Sequence, residues 1–66
     1  MINIEELEDK LIGLPEQEGI DYINKNNITY RVIRRDEIYY MCTQDFRVDR
    51  INLHISNNIL VRVTIG

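Results

Sequence analysis

The chain lacks a second cysteine, a long apolar run and a net positive charge, and each absence excludes a class of protein. Cys42 is the single cysteine among 66 residues, so the fold cannot be stapled by an intrachain disulfide as many small secreted domains are. Stability must therefore come from packing, and at this length nearly every apolar residue is needed for one core. We expect a single domain over residues 1–66.

The start of the chain and its charge balance narrow the location and the partners. Residues 1–7 have neither a basic start nor a continuous apolar segment, so we expect no signal peptide, no membrane span and a cytoplasmic location. The formal net charge is -3, whereas phosphate recognition concentrates lysine and arginine on one face. No nucleic-acid partner is expected, and Arg34-Arg35 is interpreted as a charged strand end because Asp36-Glu37 follows it.

A first short helix is predicted near the N-terminus. Leu7, Leu11 and Ile12 have the spacing of one helical face, and Gly13 is placed to end the helix. The acidic side chains of the same segment are expected on its solvent face, and they are Glu5, Glu6, Glu8 and Asp9.

A second and longer helix is predicted from about Pro15 to Asn24, because proline fits a first helical turn. Ile20 and Ile23 lie three residues apart and should face the sheet. Gly19 lies inside this helix, where glycine costs roughly 1 kcal/mol relative to alanine. We expect a close packing contact at Gly19 to explain that cost.

Strands are predicted in the rest of the chain, separated by a loop. The first runs from Ile28 to Arg34 with partial alternation of apolar and polar residues. Residues 38–47 contain no glycine, no proline and no helical period, so they are predicted as an extended loop. The next strand begins at Arg50, and its inward face is predicted to hold Ile51, Leu53 and Ile55.

The sequence of the last part of the chain predicts a β-hairpin. Asn57-Asn58 is a plausible two-residue turn, since asparagine tolerates the left-handed backbone that such turns need. The final strand is predicted to turn alternate residues inward, namely Ile59, Val61, Val63 and Ile65. These elements together predict an α+β domain with one main helix packed on a small sheet.

Three sequence motifs resemble a known family. Residues 43–53 read TQDFRVDRINL, residues 30–33 read YRVI, and residues 49–52 read DRIN. In these motifs the chain resembles the potato type I serine protease inhibitor family, and most of all its bacterial and fungal elastase-inhibitor branch. The resemblance covers roughly Leu11 to Gly66. Related bacterial inhibitors often carry a cysteine pair and an export signal, and this chain has neither.

The resemblance implies a fold and a reactive site. The sheet would be mixed, with its first strand parallel to the second, a loop joining them across one end, and an antiparallel third strand. The reactive bond would be Gln44-Asp45, and the loop around it would include Met41, Cys42, Thr43, Phe46 and Arg47.

Support for that loop would come from the second strand. Arg50 and Asn52 are two residues apart, which on a strand aims both side chains the same way. In the family such side chains reach the loop residues that flank the reactive bond, so Thr43 and Asp45 are the expected partners. Many members have a second arginine where this chain has Asn52, although asparagine is usual in the elastase-inhibitor branch.

The largest departure from the family is Gln44 at the specificity position, where large apolar or small aliphatic side chains are usual. One interpretation of Gln44 is that the chain is a monomeric inhibitor of a serine protease whose primary pocket is polar. The alternative is a non-inhibitory module that keeps the fold and uses the loop surface to bind another protein. Aromatic residues and methionine are enriched in binding patches, and the segment offers Tyr39, Tyr40, Met41 and Phe46. At most one of the adjacent tyrosines is expected to point fully inward.

Enzyme chemistry and metal binding find weaker support in the sequence. Cys42 and His54 are residue types that serve as nucleophile and base in enzymes. The sequence shows no third group to orient the histidine and no oxyanion motif. Zinc sites need three or four ligands at defined spacing. We therefore expect no catalytic residue, no metal and no cofactor.

Overall fold

The computed structural model describes residues 2–66 and begins with helix α1 over Ile4–Leu11. Asn3 caps this helix, because its Oδ1 accepts a hydrogen bond from the Glu6 backbone N–H at 3.2 Å. Leu7 and Leu11 are buried as predicted. The prediction for Ile12 is wrong: it is 44% exposed, because the backbone leaves the helix there with extended angles.

Helix α2 spans Glu16–Lys25, one residue later at each end than predicted. Pro15 precedes the helix as its N-cap instead of lying in the first turn. Ile23 is fully buried and Ile20 partly so. The predicted close contact at Gly19 is confirmed, because a Cβ there would overlap Leu60 Cδ1 and would lie 3.2 Å from Leu60 Cγ.

Four strands form one mixed sheet in the order β2-β1-β3-β4. They span Thr29–Arg35, Ile38–Tyr39, Arg50–Ser56 and Ile59–Ile65 for β1 to β4. The central pair β1 and β3 is parallel, and both outer pairs are antiparallel. The α+β class with a mixed sheet is thus confirmed.

Strand β2 corrects the prediction that the whole of 38–47 is loop. Asp36 adopts a left-handed backbone with φ of 57°, which aspartate tolerates because its short side chain can bond locally. The chain therefore reverses directly after β1, and Ile38 and Tyr39 pair with Arg35 and Arg34.

The hairpin between β3 and β4 turns at the predicted pair. Asn57 and Asn58 have φ of 52° and 63°, the positive values that a type I′ turn requires at both central positions. The predicted alternation of β4 is wrong at Val61, which is 41% exposed while Leu60 is fully buried. The pairing register shifts between His54 and Ile55, so Val61 is the extra residue of a β-bulge.

One face of the sheet packs on the helices to form the core. The buried apolar side chains are Leu7, Leu11, Ile23, Ile51, Leu53, Ile55, Leu60 and Val63. Alternation along β3 sends the intervening side chains to the opposite face, including Arg50 and Asn52, which are themselves buried. No helix in residues 2–66 is long and apolar enough to cross a lipid bilayer.

Candidate functional site

The segment from residue 40 to residue 49 leaves the sheet after β2 and returns to it at the start of β3. We call it the 40–49 loop. Met41 is fully exposed and Phe46 is 70% exposed. Thr43, Gln44 and Asp45 are also exposed, whereas Cys42 is half-buried. The loop thus projects both apolar and polar side chains into solvent.

Arg50 holds the loop on the C-terminal side of Gln44. Its Nη2 donates to the Asp45 carbonyl oxygen at 3.0 Å, and its Nη1 lies 3.6 Å from Asp45 Oδ2. The guanidinium is buried and also donates from Nε to the Gly66 main-chain oxygen at 3.0 Å. The expected pairing of Arg50 with Asp45 is therefore present, because Arg50 is the first residue of β3 and faces the loop.

Asp45 is also bonded within the loop. Thr43 Oγ1 donates to Asp45 Oδ1 across Gln44. This hydrogen bond is the main cause that lowers the pKa of Asp45, and the charge of Arg50 adds to it against the cost of desolvation. The charged carboxylate therefore ties the residues on both sides of Gln44 to each other.

Asn52 makes no hydrogen bond to the loop among residues 2–66, contrary to the expectation. Its Oδ1 accepts from Arg31 Nε at 2.7 Å, and its Nδ2 donates to Thr64 Oγ1 at 3.3 Å. An asparagine side chain is too short to extend from the middle of the sheet as an arginine would. Asn52 therefore acts on the loop only through the neighbour that it orients.

That neighbour, Arg31, is a residue whose role the sequence analysis missed. From β1 its Nη1 donates to the Thr43 carbonyl oxygen at 3.1 Å and lies 3.4 Å from Thr43 Oγ1. Its Nη2 lies 3.4 Å from the Gly66 oxygen. Arg31 therefore holds the N-terminal side of Gln44, and the parallel pairing of Arg31 with Asn52 is what brings it there.

Gly66 is the second residue that sequence reasoning missed. Its backbone N–H donates to the Arg50 carbonyl oxygen at 3.0 Å, and its oxygen accepts from Arg50, Arg31 and the Arg47 backbone N–H. A Cβ at this position would lie 2.7 Å from Asn52 Nδ2. Only glycine fits without a shift, and this residue, which directly follows β4, joins the two arginines into one network.

The entrance of the loop is fixed by a separate arginine. Arg35 forms two hydrogen bonds to the Glu16 carboxylate, at 3.1 and 2.6 Å, and its Nη1 donates to the Tyr40 hydroxyl at 3.0 Å. The Tyr40 backbone N–H donates to the Ile33 oxygen at 2.8 Å. Tyr39 is 70% exposed and Tyr40 39%, so neither points fully inward.

The arrangement can present a stretch of main chain in a fixed shape. Gln44 lies exposed between two residues whose carbonyl oxygens accept hydrogen bonds from arginines of the sheet.

Cys42 and His54 lie in different surroundings. Cys42 Sγ lies 3.5 Å from the Tyr40 oxygen, whereas the charged groups near His54 are Arg34 and Arg62. Within residues 2–66 no group of three His, Cys, Asp or Glu side chains is placed to hold a metal ion.

Comparison with known proteins does not assign the chain to a family. A scan against protein-family models and a search of the curated proteins find no match to the chain.

Proposed function

We propose that the chain inhibits a serine protease by inserting the 40–49 loop into the active site as a substrate would, with Gln44-Asp45 as the reactive bond. The observation that carries this proposal is the position of the two arginine bonds. Arg31 binds the Thr43 carbonyl oxygen and Arg50 binds the Asp45 carbonyl oxygen, so both neighbours of Gln44 are held. Gln44 itself is left exposed to enter a pocket.

A held loop favours inhibition over hydrolysis for two reasons. The loop loses little conformational entropy on binding, because its main chain is already bonded to the sheet. After the protease serine attacks the Gln44 carbonyl carbon, the Asp45 amine is the leaving group. Arg50 keeps that amine near the acyl carbon, so its return to re-form the peptide bond competes with attack by water.

Gln44 decides which proteases are targets. In an apolar specificity pocket its amide would be buried without partners, at a cost of about 1 to 3 kcal/mol. A pocket with hydrogen-bonding groups would satisfy the amide. The target class is therefore a serine protease with a polar primary pocket, and enzymes with apolar pockets bind weakly.

A second candidate function uses the same surface without inhibition. Met41 and Phe46 extend into solvent from the loop, and exposed methionine and aromatic side chains are typical of protein-binding patches. In this alternative the chain binds a non-protease protein through the 40–49 loop. The two functions differ in whether Gln44 enters an active site.

A titration against a panel of serine proteases with different primary specificities separates the two. We expect at least one enzyme with a polar pocket to be inhibited at stoichiometric amounts, with slow or incomplete cleavage detected by mass spectrometry between Gln44 and Asp45. A Gln44→Pro variant is the matched control, because proline at this position disfavours the substrate-like main chain and should abolish inhibition. Rapid and complete cleavage by every enzyme, or no inhibition at all, would favour the non-inhibitory alternative.

A further inference from the structure

Three basic side chains form one row across the sheet on the face opposite the core. Arg34 of β1 pairs with His54 of β3, and His54 pairs with Arg62 of β4. Tyr39 of β2 continues the row beside Arg34. His54 alternates with the buried Leu53 and Ile55 along β3, so the row lies on the side away from the helices. We call Arg34, His54 and Arg62 the basic row.

The basic row forms no ion pair among residues 2–66. The ion pairs of these residues use Arg35, Arg47 and Arg50, and none uses Arg34 or Arg62. The Arg34 Nε is buried without a hydrogen-bond partner, and the guanidinium lies 6.0 Å from the centroid of the Tyr39 ring. A protonated His54 would lie between two arginines, and because like charges at facing strand positions destabilise a sheet, the charged form of His54 is disfavoured here.

The pKa of His54 is lowered. Burial is the main cause that lowers its pKa, and the charges of Arg62 and Arg34 lower it further. Asp36 and Glu37 line a hollow of about 630 Å³ together with Arg34. Asp36 Oδ1 already accepts a hydrogen bond from the Asn57 backbone N–H at 2.8 Å.

We propose that the basic row is a second binding surface, which takes a short acidic segment of a partner protein. Carboxylates laid across Arg34, His54 and Arg62 would pair with the two arginine charges and would favour the protonated form of His54. Four strands at about 4.8 Å spacing span roughly 14 Å, the length of about four extended residues. Exposed Tyr39 and Val61 add apolar contacts near the two ends of the row.

A protein segment fits this surface better than a nucleic acid does. The chain has a net charge of -3, and Asp36 and Glu37 border the hollow beside Arg34. A long polyanion that extends past the row would meet these carboxylates and be repelled, whereas a short acidic segment ends before it reaches them.

The surface is separate from the loop site. Arg31, Asn52 and Thr64 form the neighbouring row of paired residues on the same face, between the basic row and the loop. Their side chains are engaged with one another and with Thr43 and Gly66. The inference therefore stands whether or not the chain inhibits a protease.

The test is a titration of the whole chain with acetylated hexaglutamate, followed by NMR of the backbone amides and the His54 ring. We expect chemical-shift changes centred on Arg34, His54 and Arg62, and a rise in the pKa of His54. Binding should strengthen as the pH falls through the titration of His54. Arg62→Gln should weaken binding about two- to fivefold, and Arg34→Gln should do the same.

The matched control is Lys25→Gln, which removes one positive charge from the exposed end of α2. It should leave hexaglutamate binding unchanged, and thermal unfolding of each variant checks that the fold is kept. If Lys25→Gln and Arg62→Gln weaken hexaglutamate binding equally, binding depends only on net charge and the proposal is overturned. Shifts that avoid the basic row, or tighter binding of a six-nucleotide oligothymidylate at the same row, would also overturn it.

Discussion

Arg31 on β1 donates from Nε to Oδ1 of Asn52 on β3 at 2.7 Å, and this bond aims the other end of its guanidinium at the 40–49 loop. The strand that precedes the loop thus supplies one support and the strand that follows it supplies the other, Arg50. Gly66 accepts from both arginines and connects them. The two sides of Gln44 are therefore held from different strands.

Loss of Asn52 should weaken both the fold and the loop. In an Asn52→Ala variant the Arg31 Nε, which lies in a partly buried site, loses its acceptor. We expect the free energy of unfolding to fall by about 1 to 3 kcal/mol, as measured by urea denaturation. Cleavage between Gln44 and Asp45 by an inhibited protease should also become faster.

The control for that variant is Asn24→Ala on the exposed side of α2. This variant removes the same type of side chain from an exposed site where it has no buried partner. It should change the unfolding free energy by less than about 0.5 kcal/mol. Equal losses in the two variants would mean that the Arg31–Asn52 bond adds nothing to stability.

Gly19→Ala should destabilise the chain, although alanine is the better helix former by roughly 1 kcal/mol. The added Cβ would overlap Leu60 Cδ1, and Leu60 is fully buried with little freedom to move. Overpacking of this kind costs about 1 to 3 kcal/mol, so we expect a net loss in thermal or urea unfolding.

A second substitution identifies the cause of that loss. Leu60→Val shortens the side chain that the new Cβ would meet, so the double variant should lose less stability than the sum of the two single variants. A Gly19→Ala variant that is more stable than the parent chain would contradict the packing of α2 on β4.

The contribution of Asp45 should depend on pH. Its pKa is lowered in the folded chain, mainly by the Thr43 hydrogen bond and then by Arg50, from an ordinary value of 3.8. A lowered pKa means that the stabilisation is fully present above that value and is lost as the pH falls through the folded pKa. The difference in unfolding free energy between the parent chain and Asp45→Asn should therefore be present at neutral pH and shrink in acid.

Unfolding titrations of both proteins from neutral pH to about pH 2 would check this. Asp49→Asn is the control, because within residues 2–66 Asp49 forms an ion pair with the exposed Arg47 alone. A difference that stays constant over the whole range would show that the Asp45 carboxylate is not bonded in the folded chain.

Gln44→Leu should change specificity without changing stability. The side chain is exposed, so the unfolding free energy should stay within about 0.5 kcal/mol of the parent value. Burial of a leucine in an apolar pocket is worth about 1.5 to 3 kcal/mol. We therefore expect inhibition of proteases with apolar primary pockets to strengthen about 10- to 100-fold, as measured by inhibition constants. No gain would count against Gln44 as the specificity residue.

Much of the fold follows from local patterns in the sequence. The alternation of Ile51, Leu53 and Ile55 predicted the inward face of β3, and Asn57-Asn58 predicted the hairpin turn. Strand β2 was missed because it has only two residues and depends on the turn at Asp36. The exposure of Val61 was missed because a bulge interrupts the alternation of β4 at that residue.

The candidate site was less accessible to sequence reasoning. Arg50 was placed next to Asp45 correctly, because the two are close along the chain and Arg50 begins a clear strand. Arg31 and Gly66 depend on contacts between residues 12 to 35 positions apart. Such contacts follow from the registers of β1 and β4 on the two sides of β3, which no local pattern reveals.

The most direct test of the proposed inhibition is religation of the nicked chain. The chain would be cleaved completely between Gln44 and Asp45, purified, and incubated with a catalytic amount of a protease that it inhibits. Mass spectrometry would then follow the return of the intact mass over time. Arg50→Lys is the matched variant, because lysine keeps the charge but lacks the planar group that reaches Asp45 and Gly66 together.

We predict that the nicked parent chain returns to a measurable equilibrium fraction of intact chain, and that nicked Arg50→Lys returns more slowly and to a smaller fraction. A nicked parent chain that is never resealed, with every molecule remaining cleaved, would contradict the claim that the arginines of the sheet hold the loop for inhibition.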